Sequence, residues 1–199
     1  MVMPRDSDAE VPDEALLVLY ANGDRAAARM LTLRLAPRAL GYAARILSDR
    51  AEAEDVAQEA MLRLWRVAPQ WRQGEARVST WLYRVVTNLC TDRLRARQRR
   101  GTQGGAEEMD AVADGGPGVE ARMMGADRMA ALDEALAALP ERQRMAVVLR
   151  HIEEMTNPEI AAVMEIGVEA VESLVARGKR ALAARLAGRR EELGYADGA

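Results

Sequence analysis

Thr156-Asn157-Pro158-Glu159-Ile160-Ala161-Ala162-Val163-Met164-Glu165-Ile166-Gly167-Val168 is the stretch whose reading decides the fold. Thr at a helix start, Pro in the first turn and Glu three residues after the Thr form a capping box. The box predicts a short helix from Ile160 to about Met164. Glu165-Ile166-Gly167 then turns the chain. Val168, Val171, Leu174, Val175 and Leu182 recur at helical spacing as the inner face of a longer final helix. A short helix, a tight turn with Gly and a longer helix bearing Arg and Lys make a helix-turn-helix.

Toward the N-terminus the helical pattern continues. Met145, Val147, Val148, Leu149 and Ile152 form one core run, with Pro140 and Glu141 opening its helix. Leu132, Ala135, Leu136 and Leu139 form another. Residues 101–118 then change character, with six glycines, a proline and four acids. That is linker composition.

Before the linker a second helical module is predicted. Helical patterning starts near Asp13, Gly23 interrupts it, and Asp24 is placed to cap the next helix. Leu31, Leu35, Leu40, Ala43, Ala44 and Leu47 keep helical spacing, with a break expected near Pro37. Ser48-Asp49 offers a cap for a long helix to about Ala68, led by Glu52, Glu54 and Asp55, acids that complement the helix dipole. Val56, Met61, Leu64 and Trp65 form its apolar stripe. Pro69 stops it, residues 69–78 read as a loop, and Ser79 or Thr80 starts another helix. In that helix Trp81, Val85 and Leu89 are spaced as core, while Tyr83 and Arg84 face out. It ends in Arg93, Arg95, Arg97, Arg99 and Arg100.

Composition agrees with this pattern. Ala, Arg, Leu and Glu are the commonest of the 199 residues, eleven Met add to these helix formers, Phe is absent, and no run alternates like a strand. The fold class is all-α: two small helical domains joined by a flexible linker. The expected boundaries are a tail at 1–12, a first module at 13–100, a Gly-rich acidic linker at 101–130, a second module at 131–187 and a tail at 188–199. Cys90 is the only cysteine and reads as a small core residue; His151 is the only histidine. Neither a disulfide nor a usual zinc site is available, so no metal and no cofactor is expected. There is no nucleophile–base pair and no phosphate loop, which argues against an enzyme. The acidic start and the absence of a long apolar run lead us to expect a soluble, cytoplasmic protein.

The net charge of −3 hides an asymmetry: residues 24–100 carry sixteen Arg against eight acids, a net of +8, between two acidic segments. A basic module suits a polyanion such as nucleic acid; it equally suits a solvated Arg-rich surface.

Three blocks carry a resemblance. Asp49-Arg50-Ala51-Glu52-Ala53-Glu54-Asp55-Val56-Ala57-Gln58-Glu59, with Leu62-Arg63-Leu64-Trp65, resembles region 2.2 of the sigma-70 family. Ser79-Thr80-Trp81-Leu82-Tyr83-Arg84-Val85-Val86-Thr87-Asn88, with Asp92-Arg93-Leu94-Arg95, resembles regions 2.3 and 2.4. Leu139-Pro140-Glu141-Arg142-Gln143-Arg144 and the helix-turn-helix resemble region 4. Their order and spacing, with no room for a region 1 or region 3 domain in the 101–130 gap, resemble the extracytoplasmic-function group.

The resemblance implies a sigma factor that binds core RNA polymerase through its β′ and β subunits, reads promoter DNA and is held by an anti-sigma factor in a stress response. It implies a polymerase face at Asp55, Gln58, Glu59, Leu62, Arg63 and Trp65; the four polar positions share one helical stripe. It implies −10 strand binding by Trp71, Arg77, Trp81, Tyr83, Arg84, Asn88, Arg93 and Arg95, where aromatics stack bases and Arg tracks phosphates. Trp81 reads as core or as a base platform. Arg97, Arg99 and Arg100 are expected to extend the phosphate path, or to be a solvated helix end. It implies −35 reading by the last helix, with Glu169, Glu172, Ser173, Arg177, Lys179 and Arg180 as contacts. Gly167, Glu169, Ala170 and Glu172 depart from the family pattern. Two acids there repel phosphate, or accept from cytosine N4. Two other readings exist: a helix-turn-helix regulator, which leaves the 49–95 blocks unexplained, and a helical mimic that titrates an inhibitor.

Overall fold

The computed structural model describes residues 11–72, 74, 77–101 and 120–187, with the side chains of Gly101 and of residues 120–127 left aside. The described residues form eight α-helices and one 3-10 turn, with no strand among them. They are α1 (Asp13–Ala21), α2 (Arg25–Leu47), α3 (Arg50–Val67), α4 (Val78–Gly101), α5 (Glu120–Ala137), α6 (Glu141–His151), α7 (Asn157–Met164) and α8 (Val168–Ala187).

The first module is built on α2, against which α1, α3 and α4 pack. Asp24 caps α2, accepting from the N–H groups of Ala26 and Ala27 at 2.8 and 3.2 Å. The helix buries Leu31, Leu35, Ala39, Tyr42, Ala43, Ile46 and Leu47. It does not break at Pro37. Pro37 lies on the exposed face, and the side chain of Leu33, one turn earlier, is 67% exposed. The carbonyl freed by the proline ring therefore lies on the solvent side of the helix. Ser48-Asp49 divides its work: Ser48 adopts the left-handed conformation that ends α2, and Asp49 caps α3 by accepting from the Glu52 N–H at 2.9 Å. α3 buries Ala53, Val56, Ala57, Ala60, Met61 and Leu64, and the three alanines let it lie close to α2.

α4 differs from its sequence reading. Its buried face is Leu82, Tyr83, Val86 and Cys90, while Trp81, Val85 and Leu89 are half-buried flanks. The core stripe is therefore rotated by one to two residues. Tyr83, expected to face out, is 2% exposed and packs edge-on against Tyr42 with ring centroids 5.4 Å apart. In a chain without Phe, these two tyrosines supply the bulk at the centre of the module.

In the second module α6 buries five successive residues, Met145 to Leu149. A helix buried all round needs neighbours on every side. α6 has α8, α7 and also α2 of the first module. α4 likewise packs on α7, so the two modules form one closed body in which buried side chains of both are continuous. α5 begins at Glu120, so part of the segment assigned to the linker by composition is helical; residues 102–119 lie outside the described residues. So do residues 1–10 and 188–199, which hold most of the expected tails. Thr156 and Glu159 form the capping box on α7, and Glu165 turns the chain in the left-handed conformation before α8. Val171 is buried on α8, Leu174, Val175 and Leu182 are half-buried, and Val168, expected inside, is 37% exposed.

Candidate nucleic-acid and partner interfaces

The outward stripe of α3 carries Asp55, Gln58, Glu59 and Arg63. Arg63 donates to Glu59 at 2.9 Å across one helical turn. Hydrogen bonding from Arg63 holds the Glu59 carboxyl below its ordinary range, with Arg66 adding to it. Leu62 stands on this stripe at 42% exposure. Trp65 turns away from it and stacks, tilted, on Tyr20 at 4.6 Å, so it braces α1 against α3.

The residues expected at −10 separate into groups. Trp71 and Trp81 meet edge-on at 6.2 Å, both half-buried. The indole N–H of Trp71 has no acceptor among the described residues. Arg77, Arg84, Asn88 and Arg95 are exposed. Arg93 lies 3.7 Å from Asp55 and Arg95 lies 4.0 Å from Asp92. Tyr83 is the exception: its hydroxyl donates to Glu153 and its ring lies under the guanidinium of Arg38, 5.7 Å away. Burial, then the Glu153 carboxylate, raises its pKa.

Arg97, expected to extend a phosphate path or to be a solvated helix end, turns inward. It reaches back to donate to the Leu47 carbonyl at 2.9 Å and to Asp49 at 3.1 Å, and it lies 3.1 Å from Glu52. It ties the end of α4 to the α2–α3 corner. Charge pattern alone does not say which cation of such a run turns inward.

On α8, Glu169, Ser173, Arg177 and Arg180 share one exposed stripe, with Glu172 and Lys179 on its flank and Val171 and Gly178 opposite. Lys179 lies near His151 and, after burial, helps hold that imidazole below its ordinary pKa. Sequence reasoning missed Gly178. A Cβ there would sit 2.5 Å from Cγ2 of Val147 and 3.2 Å from the Gln143 carbonyl, so the glycine sets how closely α8 crosses α6. No cluster of three or more His, Cys, Asp or Glu able to hold a metal occurs among the described residues. No described helix is long and apolar enough to cross a membrane.

Comparison with known proteins gives the family. Residues 31–100 match the family model for Sigma-70 region 2, and residues 129–182 match that for Sigma-70, region 4. The chain is 32% identical over 177 residues to the RNA polymerase sigma-H factor of Pseudomonas aeruginosa, covering 85% of this chain and 91% of that one. The chain belongs to the sigma-70 family. It falls in the extracytoplasmic-function group: the SigE factor of Mycolicibacterium smegmatis is 34% identical over 187 residues, covering 89% of this chain and 70% of its relative. It is therefore an alternative sigma factor, a subunit that directs RNA polymerase to promoters, and sigma factors are regulators rather than enzymes. CnrH, solved in complex with the cytosolic domain of CnrY, superposes with a TM-score of 0.64 at 25% identity, covering 88% of this chain and 97% of CnrH. The sigma factor RpoE from Bartonella quintana, solved with the anti-sigma factor NepR, shares the fold with a TM-score of 0.67 at 20% identity, covering 80% of this chain and 96% of RpoE.

Proposed function

We propose that this sigma factor divides its work among three faces and acts in the cytoplasm. The first module, 13–100, binds core polymerase through α3 and opens the promoter at −10. The second, 131–187, reads the −35 element. The segment between them lets the modules separate.

On α3, Asp55, Gln58, Glu59 and Arg63 frame Leu62, and Trp65 stiffens the helix from behind. An apolar residue in a polar rim suits a partner helix such as the β′ coiled coil. The observation that carries the assignment is the exposure of Leu62 on a helix that buries Val56, Met61 and Leu64 and half-buries Val67. Arg77, Arg84, Arg93 and Arg95 track the phosphates of the opened strand, Asn88 meets a base edge, and Trp71 and Trp81 offer stacking surface. Tyr83, buried against Tyr42, anchors the helix from which Arg84 projects. Glu169, Glu172, Ser173, Arg177, Lys179 and Arg180 meet the −35 duplex, the cations on phosphate and the acids as acceptors from cytosine. The likeness to CnrH, solved with the cytosolic domain of CnrY, supports control by a protein partner, which the family resemblance makes an anti-sigma factor in a stress response.

Leu62→Asp tests the core-binding face. Leu62 is exposed, so the variant should keep its helical circular dichroism and melting temperature. It should bind core polymerase about 30-fold more weakly, as loss of an interface anchor of ~2 kcal/mol requires. Unchanged core affinity sinks the assignment of α3.

A further inference from the structure

α4 begins at Val78, ahead of the Ser79 and Thr80 expected to start it, and its first N–H is held from a distant part of the chain. The Val78 N–H donates to Oε1 of Glu14, in the first turn of α1, at 2.9 Å. The first N–H groups of a helix have no partner within it. Val78 is fully buried, so its N–H depends on a partner from the protein. A carboxylate supplies it, and its negative charge lies at the positive end of the α4 dipole. The residue before Val78 is Arg77, whose carbonyl accepts the first bond of the helix, from the Trp81 N–H at 3.1 Å. Arg77 and Trp81 therefore bracket the turn that Glu14 holds. Both belong to the face assigned to the −10 strand, and Trp81 also meets Trp71 edge-on.

α1 is a firm base for this contact. It buries Leu16 and Leu17. Asp13 lies 3.2 Å from Arg34 of α2, and Arg34 also donates to the Val11 carbonyl at 2.6 Å. At the other end of α1, Tyr20 stacks on Trp65 of α3. α1 lies before residues 31–100, the part that matches region 2, so the family match assigns nothing to it.

We infer that Glu14 is a positioning residue for promoter opening: through the Val78 N–H it fixes the first turn of α4, and with it Arg77 and Trp81, without touching DNA. The inference rests on the −10 reading above. With Glu14 in place, the turn is formed before the strand arrives. Without it, the turn frays in the free factor and must be ordered as the strand binds, which weakens binding. The contact involves neither α3 nor α8, so core binding and −35 binding do not depend on it.

Glu14→Ala and Glu14→Gln test this together. Gln keeps a carbonyl oxygen that can accept from Val78; Ala keeps no acceptor. Holoenzymes of bacterial core polymerase with the full chain, wild type or variant, are titrated with a labelled single strand. The strand carries the non-template −10 sequence of a promoter that the wild type transcribes, and a scrambled strand is the control. Core affinity is measured alongside. Glu14→Ala should bind core as the wild type does and bind the strand about 5-fold more weakly, the effect of a capping hydrogen bond worth ~1 kcal/mol. Glu14→Gln should bring strand binding back to within about 2-fold of wild type. Wild-type strand binding by Glu14→Ala overturns the inference. So does a parallel loss of core affinity, which marks general damage to the module, and so does a Glu14→Gln variant as weak as Glu14→Ala. If the wild-type holoenzyme does not distinguish the strand from its scrambled control, the −10 reading itself falls and the inference with it.

Discussion

Thr87 is a polar residue buried in the core of the first module, and its hydroxyl lies 2.9 Å from that of Tyr42. Burial raises the Tyr42 pKa well above its ordinary value, so the phenol stays neutral and each hydroxyl depends on the other. Thr87→Val should cost about 1–3 kcal/mol by leaving the Tyr42 hydroxyl unpaired, and adding Tyr42→Phe should recover part of that loss. Thermal melts of the single and double variants check this. Cys90 shows the opposite economy: it is fully buried, and burial pushes its thiol up to about 12, away from the low pKa of a reactive thiolate. Its place in the core was legible from an apolar helix. The inward turn of Arg97 and the reach of Arg144 to the Ile46 carbonyl of α2 were not, because a helical pattern gives the direction of a residue but not the neighbour waiting there.

Helix ends were the most legible elements. Asp24, Asp49 and the Thr156–Glu159 box all cap where short-range chemistry predicts, since a cap depends on residues within one turn. Glu159 accepts from the Thr156 N–H and hydroxyl at 2.8 and 2.7 Å, bonds that hold its carboxyl below the ordinary 4.5. Burial opposes the shift and Arg77 adds to it. A depressed carboxyl contributes stability above its unfolded value, and that stability is lost as pH falls through the folded value. The melting-temperature gap between wild type and Glu159→Gln should therefore be constant near neutral pH and narrow below about 4.5. Helix faces were less legible. The stripe of α4 was misread because Trp81 and Tyr83 lie on either side of Leu82 and both carry apolar rings; the packing of Tyr83 on Tyr42 decides which one turns in. Pro37 was misread because a proline on a solvent-facing surface bends a helix without ending it. Gly178 left no mark in the pattern, since close approach is a property of two helices. Gly178→Ala should destabilise the α6–α8 crossing by about 1–3 kcal/mol, read by chemical denaturation.

At the scale of the whole molecule, the sequence carried the division into two helical modules and their order, because each module has its own periodic core. It did not carry their closure. Five successive buried residues on α6 were the available hint, since a run buried on all sides needs a neighbour beyond its own module. Closure also brings Glu153, Glu159 and Glu165 of the second module beside Arg38, Arg77 and Arg84 of the basic first one, pairings that charge counting did not suggest. As a sigma factor, this chain directs promoter-specific initiation. Run-off transcription tests it most directly, with purified chain and bacterial core polymerase on a promoter library, followed by sequencing of the transcripts. The account predicts initiation that depends on the chain and starts from a shared pair of upstream elements. Transcripts identical with and without the chain would contradict it.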